Sequence, residues 1–109
     1  MPARWIPFFA FTTTALHGHS PDVELCPGLI VVEYTFVPGR RVPFLTLQID
    51  HTNVGLEYHC WNIEDRHALP AGPVIGRRPL RILHPGPYYV GTHVEHITRT
   101  TVRLLRASS

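Results

Sequence analysis

The chain has 109 residues, of which 44% are hydrophobic and 17% charged. That is enough for one domain, too apolar for a disordered segment and too short for a second independent core. All ten basic residues are arginines and the formal net charge is only +2 with histidine neutral, so nucleic acid is not expected as a partner.

Eleven prolines and eight glycines interrupt every window long enough for an amphipathic helix. The runs between them are rich in Val, Ile, Thr, Phe and Tyr, as strands are. Residues 4–16 read as an opening strand, with Pro7 near its start, where an edge tolerates it. Its side chains Trp5, Phe8, Phe9 and Phe11, with Ile6 among them, cannot all stay solvated without a large apolar patch. They must pack into the chain's own core or add to the sheet of another copy. The same stretch, 5–11, is the only one resembling a targeting signal. It is too short and too interrupted to serve as one, so a cytoplasmic protein with no membrane contact is expected.

Residues 17–22, "HGHSPD", read as a turn built on Gly18, Ser20, Pro21 and Asp22. In 29–37, Ile30, Val32, Tyr34 and Phe36 share one face. In 44–50, Leu45, Leu47 and Ile49 alternate with Phe44, Thr46, Gln48 and Asp50, the pattern of a half-buried strand. In 56–63, Leu56, Tyr58 and Cys60 share a side, with Tyr58 and Cys60 read as core-facing. Residues 64–79 read as loop, 80–83 as a short strand, 84–87 as a turn, and 88–97 and 100–107 as two closing strands. The expected fold is a single all-β domain over 1–109, an antiparallel β-sandwich or barrel, jelly-roll-like, of six or seven short strands.

One constellation has metal-ligand chemistry. His17-Gly-His19 followed by Glu24 resembles the first motif of the cupins, a family of metal-binding β-barrels. The family's flanking glycines are replaced here by Phe11 and Val31. The resemblance implies His17, His19 and Glu24 as ligands of a divalent transition metal, with His59 or His93 completing the set. A second group, His93 and Glu95, shares a strand face, while His96 points the other way. Cys26 and Cys60 are expected as free thiols, because no secretory signal places them in an oxidising compartment. No nucleophile elbow, phosphate loop or dinucleotide fingerprint is present. Paired arginines occur at Arg40-Arg41 and Arg77-Arg78, each pair after a turn, where guanidinium forks suit an acidic partner.

The sequence therefore favours a non-enzymatic binding or structural module without a cofactor. It would associate with itself as a homo-oligomer or with another protein, as components of viral or phage particles and other assemblies do. Trp5, Phe8, Phe9, Phe11 and the two arginine pairs would carry the contact. The alternative is a small cupin-like enzyme using a divalent transition metal.

Overall fold

A computed structural model describes residues 4–38, 42–64 and 73–108. Nine strands run through them: β1 (Trp5–Thr13), β2 (His17–His19), β3 (Val23–Leu25), β4 (Gly28–Pro38), β5 (Phe44–His51), β6 (Tyr58–Glu64), β7 (Val74–Ile82), β8 (Gly86–Glu95) and β9 (Ile97–Ala107). All pairings are antiparallel. Among the described residues there is no helix, and so none long and apolar enough to cross a membrane.

The pairings nest. β5 pairs with β6, β4 with β7, β2 and β3 with β8, and β1 with β9. Because β2 and β3 lie one beyond the other along β8, they act as a single strand interrupted at Ser20–Asp22. The chain is thus one long hairpin whose tip is the turn 52–57. Rolling that hairpin up sends its pairs into two sheets. Sheet A has the order β1-β9-β4-β7, and sheet B the order β2-β8-β5-β6 with β3 also beside β8. This is the connectivity of a jelly roll. The sheets stay open at their edges, so of the two expected architectures the molecule is the sandwich and not the barrel. Its extents of 39 × 38 × 18 Å match two sheets packed face to face about 10 Å apart.

Alternation explains the core. Ile30, Val32, Tyr34 and Phe36 of β4, with Val102 and Leu104 of the neighbouring β9, face Leu45, Leu47 and Ile49 of β5 and Tyr88, Val90 and Val94 of β8. Leu45, Leu47 and Ile49 are fully buried, each contributing roughly 1.5–3 kcal/mol relative to an exposed side chain. The aromatic β1 resolves the same way. Phe8, Phe9 and Phe11 pack against the chain's own core, helped by a bulge between Pro7 and Phe9 that shifts the β1–β9 register.

Four expectations need correction. The strands number nine among the described residues. Residues 74–82 form a full strand and not a loop, so Arg77 and Arg78 stand in a sheet. Pro79 is accommodated because β7 is the edge of sheet A. Gly76 is needed there because a Cβ would overlap the Tyr34 ring directly opposite it. His17–His19 is a strand against His93–Gly91 and not a turn. On β6 the faces are inverted: Tyr58 and Cys60 are exposed, while Trp61 and Ile63 face the core.

Candidate functional site

The tip of the rolled hairpin is held by a carboxylate. Glu57, just before β6, keeps a side chain only 5% exposed. Its Oε1 accepts from the backbone N–H of Leu83 at 3.0 Å, the backbone N–H of His84 at 2.8 Å and His84 Nδ1 at 3.0 Å. Its Oε2 accepts from His59 Nε2 at 2.6 Å. Burial by itself raises this carboxyl, but the donors from His59 and His84 outweigh it and bring the pKa down to about 2. Beside it, the His51 ring is held at both nitrogens. Its Nδ1 accepts from the Asn53 N–H at 2.9 Å, so Nε2 carries the proton and donates to the Pro85 carbonyl at 3.1 Å. The β5–β6 turn is thereby sewn to the β7–β8 turn.

From this tip a row of side chains runs across the outer face of sheet B. Asp50 on β5 stands directly between Tyr58 on β6 and Tyr89 on β8. The Tyr89 hydroxyl donates to Asp50 Oδ2 at 2.8 Å, and His19 stacks on the Tyr89 ring with centroids 4.1 Å apart. The other oxygen, Oδ1, is buried with no hydrogen-bond partner among the described residues. These residues border a pocket of about 340 Å³ lined by Asp50, Tyr58, Tyr89, His51, Val54 and neighbours in the turn. Further along the face, His17 and His93 are cross-strand partners whose Nδ1 atoms lie 3.1 Å apart, one donating to the other.

The outer face of sheet A is different in kind. Glu33 on β4 lies between Arg103 on β9 and Arg77 on β7. Arg103 Nε donates to Glu33 Oε1 at 2.7 Å and Arg77 Nε to Oε2 at 3.0 Å. Burial again pushes the carboxyl up, and the two guanidinium groups overcome it to hold the pKa below its ordinary value. The carboxylate is nearly buried, but the guanidinium side chains remain 38% and 52% exposed. Arg81, opposite Leu29, and Arg99, opposite Val37, continue the same face and are exposed.

Charge is sorted by sheet. Six of the ten arginines lie on β7 and β9, both in sheet A, whose strands carry Glu33 as their single carboxylate and no histidine. The strands of sheet B carry no arginine. They hold Glu24, Asp50, Glu64 and Glu95 together with His17, His19 and His93, while His51 and His59 alternate to the core side of the sheet.

The residues singled out in the sequence are distributed as follows. His17 and His19 do share a face, on β2. Glu24 sits opposite Pro87, whereas His17 is opposite His93, which puts Glu24 about 20 Å along β8 from His17. The three do not converge. Among the described residues no group of three or more His, Cys, Asp or Glu side chains is arranged to hold a metal ion. His59 is taken up by Glu57 and His93 by His17. Cys26 and Cys60 are exposed free thiols. Arg77 belongs to the Glu33 triad, Arg78 lies 5.6 Å above the Tyr34 ring, and Arg40 and Arg41 lie outside the described residues. Glu57, Asp50 and Tyr89 carry no local motif and were not singled out. Only the nesting of strands brings them together.

Fold and surface together define a jelly-roll sandwich with an arginine face and a carboxylate–histidine face. No protein-family model matches the chain, and no curated protein or solved structure matches it either.

Proposed function

We propose that this domain works by association and not by chemistry. It is a non-enzymatic module in which the arginine face of sheet A on one copy meets the carboxylate–histidine face of sheet B on the next. The observation that carries this reading is the sorting of charge between the two sheets. Jelly rolls occur in viral capsid and lectin domains and in cupins, so the fold alone selects none of them. A contact between two unlike faces is heterologous, and repeated copies close into a ring or extend as a chain. Such geometry suits a subunit of a larger assembly, a viral or phage particle being one example. The aromatic β1 is spent on the chain's own core, so the contact is assigned to the sheet faces instead of that strand.

Light scattering as a function of ionic strength tests the proposal. At low salt the mass should exceed one chain. It should fall toward the monomer as salt passes about 0.15 M, where charges more than roughly 8 Å apart are screened. Reversing two exposed face residues together, Arg81→Glu and Arg99→Glu, should give a monomer at low salt with unchanged thermal stability. A wild-type chain that stays monomeric at low salt and high concentration overturns the proposal.

A further inference from the structure

We infer that the pocket beside Asp50 is a binding site for a guanidinium group, supplied by an arginine side chain on the sheet A face of a second copy. The inference deepens the association reading and rests on it for the source of the arginine, though not for the chemistry of the pocket.

The first argument is the row itself. Strand register sets the Asp50 carboxylate between two tyrosines, Tyr58 on one side and Tyr89 on the other. A negative charge flanked by aromatic rings is a setting for a flat cation, which gains from the carboxylate and from the ring faces together. The second argument is the unfilled hydrogen-bonding capacity. Asp50 Oδ2 holds the Tyr89 hydroxyl, but Oδ1 is buried without a partner among the described residues. Oδ1 is closed to solvent in this arrangement, so a guanidinium reaches it only by displacing a side chain at the pocket rim, and until then its unmet acceptor capacity costs free energy. Glu57, the other carboxylate lining the pocket, is saturated by its backbone and imidazole donors. Asp50 is the one with capacity to spare.

The third argument is shape. Beyond Asp50 the wall is Val54 of the β5–β6 turn, which is 95% exposed, and Tyr58, which is 57% exposed. An arginine lays its apolar stem along such surface while its head seeks an anion. The volume of about 340 Å³ accommodates a whole side chain. The field in the pocket has the matching sign. The Tyr89 phenol is held up first by its hydrogen bond to Asp50, then by burial and the Asp50 charge.

A bare metal ion fits less well, since no three ligating side chains converge there among the described residues. An ammonium fits less well than a guanidinium, because it neither stacks flat on tyrosine nor forks onto a carboxylate. The chain supplies the matching group in quantity, having ten arginines and no lysine.

The experiment is a calorimetric titration of the intact chain with N-acetyl-arginine amide, with N-acetyl-lysine amide as the control at equal ionic strength. The expected result is saturable binding of the arginine compound, several-fold tighter than the lysine compound. Asp50→Asn should weaken it at least tenfold. Tyr58→Ala, a change at an exposed ring that leaves folding intact, should weaken it several-fold. The arginine compound should also dissociate the oligomer at concentrations where the lysine compound does not. Absence of saturable binding, equal affinity for the two compounds, or an Asp50→Asn variant that binds as the wild type does would each overturn the site. A monomeric chain that binds the arginine compound in an Asp50-dependent way would overturn the association reading and the second copy as source, while supporting the guanidinium pocket.

Discussion

The two sheets each bury a carboxylate, Glu33 in sheet A and Glu57 at the tip of sheet B, and they solve the same problem by different means. Glu33 is matched by side chains directly opposite it in register, Arg103 and Arg77, whose guanidinium groups still reach solvent. Glu57 is matched by two backbone amides and the His84 imidazole from a turn 26 and 27 residues further along the chain, and by His59 two residues away. The first arrangement tightens strands that already pair through their ladders. The second fastens one turn to another where no ladder runs. Removing the first weakens a surface; removing the second unfastens the tip.

That contrast can be broken most severely at Glu57. Glu57→Ala leaves the Leu83 and His84 amides without their acceptor in a buried setting, and should cost about 3 kcal/mol in denaturant unfolding. A loss below about 1 kcal/mol would mean the clasp is ornamental. Acid sharpens the same point. The folded Glu57 carboxyl titrates at about 2 against an ordinary value of 4.5, so between those values the unfolded chain binds a proton that the native chain does not. Its contribution is complete above about pH 4.5 and is lost as pH falls toward 2. Stability measured across that window should slope upward with pH, and Glu57→Gln should flatten the slope.

Glu33→Gln should be milder, near 1 kcal/mol, because the partners it leaves are half-exposed and water takes up the charge. A larger loss than at Glu57 would reverse the ranking drawn above. The smallest effect belongs to the histidines of β2. Replacing His17 and His19 together by Gln should change stability by no more than about 0.5 kcal/mol, since both side chains are exposed. Unfolding of the double variant alongside the wild type checks it, and a loss of several times that size would make the His17–His93 contact a structural one.

How much of this was legible in the sequence depends on whether the signal was local. Ile30, Val32, Tyr34 and Phe36, and Leu45, Leu47 and Ile49, follow a strict alternation, and their burial was read correctly from it. β7 was hidden by Gly76 and Pro79, which normally mark a loop. Both are explained by neighbours, one by the Tyr34 ring and the other by the free edge of the sheet. β6 offered two faces of nearly equal apolarity, Tyr58 and Cys60 against His59 and Trp61, and alternation alone cannot say which is inside. β2 and β3 have three residues each, too few to show any period. The site was the least legible part. Asp50, Tyr58 and Tyr89 meet only because β5 pairs with both β6 and β8, and nothing in the local pattern announces that.

The β1–β9 pairing has a mechanical side. Trp5 lies opposite Ala107, and the Ser108 N–H donates to the Arg4 carbonyl at 2.7 Å, so residues 4 and 108 sit side by side at one end of this ladder. A force pulling these two residues apart loads the ladder like a zipper: rungs break in turn from Trp5–Ala107 inward, never as a set. The bulge between Pro7 and Phe9 meets the peeling front early, and the Thr12–Thr101 side-chain bond meets it late. A domain tethered through those residues would yield at low force, while one gripped across its two faces would load both sheets at once.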